Sequence, residues 1–265
     1  FNECMKHNGG FDHNIQTIRI VTLLENKYYN FKGLNLSIET LDGLIKHNGP
    51  IRNEKKINDI LGKNFFKQKI NFKDCPSLEA QIASISDDIA YNSHDLEDGL
   101  NAKLFTLRDI SQIPVLKNLI KKHKNKISKY SQELALRQII RDIINEMVQD
   151  VILNTKKNIK INKIKTVRDV YKSKYPLVNF SSKMKLFDKN VKSFLKKNMY
   201  FHKNVIHKAN LGKKIVEALF YKIKKNPKKY IQITIPKKTN TDRLICDFIA
   251  GMTDRYAINL YNKIK

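Results

Sequence analysis

Apolar residues recur at intervals of three and four along most of this chain, the spacing that gathers them on one side of an α-helix. In FDHNIQTIRIVTLLENKY they stand at Ile15, Ile18, Val21, Leu24 and Tyr28, with Asp12 or Asn14 in place to cap the start. Residues 131–153 carry the widest apolar side, running from Leu134 through Ile139, Ile143 and Met147 to Val151. Amphipathic helices are also predicted over residues 186–199, over 205–223 with Asn226-Pro227 as the stop, and over 242–264 with an interruption around Gly251. Residues 31–50 read as a turn and a short helix, weakly capped by Ser37 and stopped by Asn48-Gly49-Pro50. Residues 1–7 read as the last turns of a helix closed by Gly9-Gly10, the Lys- and Asn-rich residues 51–75 as a loop, and Pro114 as a break. Residues 154–174 read as a basic connector, in which 164–171 form either a short strand or a turn into a helix. Alternation with period two is convincing only in YIQITIP, residues 230–236. The expected class is all-α with at most a short β element.

One predicted helix differs from the rest. PSLEAQIASISDDIAYNSHDLEDGL, residues 76–100, places five carboxylates within twelve residues: Asp87, Asp88, Asp95, Glu97 and Asp98. At about 100° per residue, Asp87, Tyr91, His94, Asp95 and Asp98 share a face. Leu78, Ile82, Ile85, Ile89 and Leu96 lie opposite. Pro76 suits the start of this helix and Gly99 its end. The plainer alternative is an amphipathic helix with a solvated acidic face. Tyr and His among the acids, and a charge opposite to the chain's own, argue for a site.

The 265 residues are enough to bury a large core, as one domain or two closely joined ones. Only 9 Gly and 6 Pro favour helices over turn-rich sheets. No apolar run reaches the length of a membrane span, so no membrane-crossing helix is expected within these residues. Cys4, Cys75 and Cys246 are far apart and show neither metal spacing nor a disulfide frame, so a cytoplasmic location is expected. The net charge of +26 suits an anionic partner, yet Lys dominates and is spread along the chain, as an AT-rich genome would also produce. His13 stands at a helix entrance, where free N–H groups favour anions; a cap or turn contact is the plainer alternative. Arg137, Arg141 and Asn145 recur every four residues, either as surface charge paired with Glu133 or Asp142 or as a guanidinium row aimed at phosphate. His7, His47, His123, His202 and His207 lack ligand spacing and read as structural or surface residues. P-loop, GxGxxG, GxSxG, HExxH and zinc-finger patterns are absent.

Four blocks carry a resemblance: GGFDHN (9–14), FKGLNLSIETLDGLIKHNGP (31–50), PSLEAQIASISDDIAYNSHDLEDG (76–99) and DRLICDFIAGMTDRYA (242–257). In this order they resemble segments of the deoxyguanosinetriphosphate triphosphohydrolase-like family of the HD superfamily. The resemblance implies an all-α HD-domain helical bundle around a buried divalent metal, with additional C-terminal helices. Residues 1–155 would be the remainder of the HD phosphohydrolase domain and 156–265 the C-terminal helical region. The implied activity is hydrolysis of dGTP or other deoxynucleoside triphosphates to the deoxynucleoside and tripolyphosphate, with Mg, Mn, Fe and Co not distinguished. Asp87 matches a family metal ligand, and Tyr91 and Asp95 match positions lining the nucleotide, so the polar face is expected to turn inward. His13 matches a position beside the attacked phosphate, as acid or electrostatic stabiliser. Arg137 or Arg141 aligns, loosely, with an arginine on the substrate. By the same comparison His94-Asp95 is not the metal-binding pair that names the superfamily. The family's other metal ligands and its catalytic His and Glu are expected before Phe1, so this chain alone is expected to bind metal poorly and turn over little. The resemblance implies a deoxynucleoside triphosphate as partner and, by family analogy, a second copy of the chain; the net charge adds single-stranded DNA as a further expected partner, and no membrane partner is expected. The rival reading is a basic helical nucleic-acid-binding protein without catalysis; it accounts for the net charge but not for the acidic face.

Overall fold

The computed structural model describes residues 1–63, 65, 66, 69–129, 132–231 and 240–264, with 124–129 and 132 described by their backbone. The described residues are all-α. The first helices are α1 (His13–Arg19), continued by a π-helical turn Ile20–Leu24, α2 (Ile38–Ile45), α3 (Lys55–Leu61) and α4 (Leu78–Asn101). Next come α5 (Leu107–Ile110), α6 (Pro114–Lys129), α7 (Gln132–Ile161) and α8 (Val167–Tyr171). The remainder are α9 (Ser182–Leu195), continued by a π-helical turn Lys196–Tyr200, α10 (Lys203–Lys225), α11 (Pro227–Tyr230), α12 (Thr241–Ala250) and α13 (Asp254–Ile264). The β-like alternation expected at 230–236 falls largely outside the described residues; Tyr230 itself closes α11.

The break expected at Pro114 is present between α5 and α6, and Pro114 itself opens α6, where the first helical N–H has no intrahelical partner and its absence costs nothing. Several local expectations are corrected. The Lys/Asn-rich stretch expected as a loop contains α3, whose Ile57 and Ile60 are three apart and both buried. The basic connector is largely helical: α7 runs on to Ile161, and α8 starts at a capping box between Thr166 and Asp169. Residues 2–9 form consecutive turns rather than the end of a helix. Gly99 does not end α4. It lies inside the helix, where a Cβ would overlap the Phe105 ring, and Ala102 is the C-cap.

The chain forms two compact units. One comprises Phe1–Lys46, Pro50–Lys73 and His207–Lys265. It holds two apolar clusters: Ile15, Ile18, Ile45 and Ile57 join under α1–α3, and Met5 joins Leu219, Phe220, Ile245 and Ile249 of α10 and α12. The other comprises His47–Gly49 and Asp74–Ile206, with a single core in which α4, α6, α7 and α9 meet around Leu96, Phe105, Ile139, Ile143, Met147 and Leu195. Fully buried leucines such as Leu96 each contribute about 2 kcal/mol to such a core. Residue 155 lies in the interior of α7.

A polar contact ties α6 to α7 inside this second unit. The buried His123 approaches Asp142 Oδ2 through Nε2 at 2.8 Å, and Lys122 and Gln138 donate to the same carboxylate. Burial works against the charged carboxylate, but the hydrogen bonds from His123, Gln138 and Lys122 outweigh it and hold Asp142 at about 2, against an ordinary value of 3.8. A depressed carboxylate stabilises the fold above its unfolded-state pKa, and that contribution is lost as pH falls through the folded one. Asp142→Asn is therefore expected to cost about 1–3 kcal/mol near neutrality. The deficit should shrink as pH drops from 3.8 towards 2, read by urea unfolding of both proteins across that range. A deficit independent of pH would contradict the charge as its cause.

Candidate functional site

Helix α4 is positioned by polar groups as much as by its apolar stripe. Ser77 caps it by accepting from the Ala80 N–H. The buried Gln81 donates to Pro76 O at 2.8 Å and accepts from the Leu177 and Val178 N–H groups at 2.8 and 3.0 Å. One turn after the buried Ile89, the buried Asn92 donates to Asp188 Oδ1 of α9 at 2.6 Å. The buried side of α4 therefore runs through Gln81, Ile89, Asn92, Leu96 and Gly99, and Ile82, expected in the core, is 49% exposed. Each of these polar groups would be costly to bury unpaired, so together they select one rotation of α4 about its axis.

That rotation leaves Asp87, Tyr91 and Asp95 in a row on the other side, one turn apart, spanning about 12 Å of helix axis. The face is open to solvent rather than turned inward: the Asp87 side chain is 53% exposed and Tyr91 63%. The reason is that the core contacts of α4 are made by the Gln81–Gly99 side. His94 Nδ1 lies 3.6 Å from Glu97 Oε2.

Two further residues, both read from sequence as unremarkable or not noticed, stand at the ends of the row. His47 Nε2 lies 3.8 Å from Asp87 Oδ2, too long for a hydrogen bond but within ion-pair reach when the imidazole is protonated. Tyr200, from the π-helical turn after α9, donates its hydroxyl to Asp95 Oδ2. Burial and the neighbouring Asp95 carboxylate both push the Tyr200 phenol well above its ordinary value, so it stays a neutral donor. Beside the row, Lys192 bridges Asp88 at 3.0 Å and Asp188 at 3.1 Å; burial disfavours its charge, and the two carboxylates more than compensate, so its pKa is raised.

The row's chemistry is a hard oxygen donor at one end and a hydrogen-bond acceptor held by a phenol at the other, with an aromatic ring between. Asp87 suits a divalent cation. Yet among the described residues no three His, Cys, Asp or Glu side chains converge as a metal-ligand set. Asp87, with His47 nearby, presents part of a donor set and not a closed site.

Arg137 and Arg141 lie on α7 of the same unit and face solvent. Arg137 donates to Glu133 Oε1 at 2.6 Å and Arg141 to Gln138 Oε1 at 3.2 Å; among the described residues no hydrogen bond joins either to the row.

His13 belongs to the other unit and is the first residue of α1. The expectation of free amides beside it is corrected: Asp12 is the N-cap and its carboxylate accepts from the Asn14 and Ile15 N–H groups at 3.1 and 3.2 Å. Burial opposes the Asp12 charge, but these amides and Lys56 at 3.2 Å lower its pKa. The His13 imidazole is exposed. No helix of the described residues is long and apolar enough to cross a membrane.

The profile of a family described as "Phosphohydrolase-associated domain" matches residues 178–263. A "Deoxyguanosinetriphosphate triphosphohydrolase-like protein" of Pelagibacter ubique is 54% identical over 259 residues, covering 98% of this chain and 70% of the relative. Proteins of the same description from Bartonella quintana and Rickettsia typhi are 41% and 37% identical, each over 99% of this chain and over 68% and 69% of their own length.

Proposed function

The chain belongs to the deoxyguanosinetriphosphate triphosphohydrolase-like family, whose chemistry is phosphohydrolysis, and on that premise we propose that its substrate is a deoxynucleoside triphosphate, released as deoxynucleoside and tripolyphosphate. The observation that carries this reading is the Asp87–Tyr91–Asp95 row, backed by Tyr200 on a helix whose rotation is set by buried polar contacts. Asp95 accepts from the sugar 3′-hydroxyl while Tyr200 holds the carboxylate in place. Tyr91 lies against the sugar. His13 gives a proton to, or stabilises charge at, the α-phosphate and the leaving 5′-oxygen. Arg137 or Arg141 neutralises part of the polyphosphate, after giving up its present partner Glu133 or Gln138. A divalent ion, when bound, polarises a phosphate oxygen and a water, with Asp87 as one of its oxygen ligands.

In the net reaction, the α-phosphorus–O5′ bond breaks and water supplies the new phosphorus–oxygen bond. The 5′-oxygen leaves with the nucleoside and takes a proton. The test is to incubate the full-length protein with each deoxynucleoside triphosphate and a divalent salt in H₂¹⁸O, and to separate the products. Tripolyphosphate carrying the label, with an unlabelled deoxynucleoside, is the expected result. Release of diphosphate and a nucleoside monophosphate, or of orthophosphate, would sink the reading.

A further inference from the structure

His13 sits at the middle of a segment held from both sides by one short helix. Before it, Gly9 and Gly10 both adopt left-handed backbone, with φ of +83° and +72°. Glycine is the residue that makes such consecutive turns without strain. The turn presents the Asn8 and Gly10 carbonyls to the buried Arg243 of α12, whose Nη2 donates to them at 2.7 and 2.8 Å. After it, the buried Gln16 donates to Asp247 Oδ1 at 2.9 Å, and Arg19 donates through Nε to Oδ1 at 2.9 Å and through Nη2 to Oδ2 at 2.5 Å. Arg243 and Asp247 are four apart, so they project from one side of α12. Asn240, the N-cap of α12, donates to Asn8 Oδ1, and Asn8 donates to Asp242.

Such a set of contacts is a poor way to gain stability. Buried ion pairs repay little more than their desolvation, and apolar side chains of similar volume would hold α1 as well. What apolar packing does not do is fix rotation and register, because it has no direction. Two carbonyls on a single guanidinium nitrogen and a two-pronged arginine on a carboxylate do. The block DRLICDFIAGMTDRYA has no part in the chemistry assigned above, yet it supplies both anchors.

We propose that Arg243 and Asp247 are positioning residues for His13: they clamp the turn before it and the helix after it, and so set where its imidazole points. This rests on the reading of His13 as a group acting on the substrate phosphate. A misplacement on the order of 1 Å costs a reacting group about 10²-fold in rate.

The test uses the full-length protein and compares Arg243→Ala, Arg243→Lys and Asp247→Asn, alone and combined with His13→Ala. Arg243→Ala is expected to lower kcat by about 10- to 100-fold with KM nearly unchanged. Arg243→Lys, whose ammonium can still reach a carbonyl, should recover part of that loss. In the His13→Ala background, Arg243→Ala should add little, since the group it acts through is already gone. Amide hydrogen exchange, which needs no activity, should rise by about tenfold in residues 8–19 of Arg243→Ala and stay unchanged in α7. An equal loss of kcat in both backgrounds, or unaltered exchange in residues 8–19, overturns the clamp. If His13→Ala alone leaves kcat unchanged, the reading of His13 falls and the proposal falls with it. Should Arg243→Ala not fold, Arg243→Lys and Asp247→Asn carry the same comparison.

Discussion

Asp87→Ala is expected to abolish triphosphate hydrolysis by the full-length protein, by about 10³-fold or more in kcat/KM, while leaving the fold as stable as before. The two halves of this expectation have separate grounds. The Asp87 side chain is half exposed, and among the described residues the side chain within ion-pair reach of it is His47 at 3.8 Å, so no buried contact depends on it. Surface changes of that kind shift stability by about 0.5 kcal/mol or less. A carboxylate that ligands a catalytic cation, by contrast, supports several kcal/mol of transition-state stabilisation. Steady-state kinetics, thermal unfolding and calorimetric titration with Mn²⁺ check the result together. Activity near the wild-type rate would remove Asp87 from the metal site. Lost activity with a lowered melting temperature would instead assign Asp87 a structural role.

His13→Ala should lower kcat by about 10²- to 10⁴-fold, the range of a general acid or base, with a much smaller change in KM. The imidazole is exposed and the start of α1 is held by Asp12, which keeps its two amide bonds in the variant. Helix formation and melting temperature should therefore be unchanged. An unaltered turnover number would exclude His13 from the chemistry. A rise in KM alone would make it a binding residue.

The parts of the fold legible in the chain are those with local causes. Asp12 and Ser37 cap the helices they precede because a short polar side chain reaches an amide two or three residues on. The row Asp87–Tyr91–Asp95 was legible for the same reason, since a spacing of four places residues on one face of any α-helix. Gly99 misled because its role is not conformational: it makes room for the Phe105 ring. The Lys/Asn-rich stretch misled because composition was weighed above position, whereas two isoleucines three apart decide that segment.

The partners of the site residues lay beyond such reasoning. Tyr200 is 105 residues from Asp95, and Arg243 is 235 from Asn8. His47 carries no spacing that points to Asp87. A hydrogen bond between distant segments leaves no periodic trace in either of them.

By itself, then, the sequence determined the helical class, the capped starts, and which side chains share a face, because 3.6 residues per turn and the reach of a capping side chain act within a few positions. The tertiary structure decided which face of α4 is buried and which lies open, that Tyr200 holds Asp95, and that Arg243 and Asp247 bracket His13. Those outcomes depend on pairing buried polar groups across the fold, where an unmade bond is expensive.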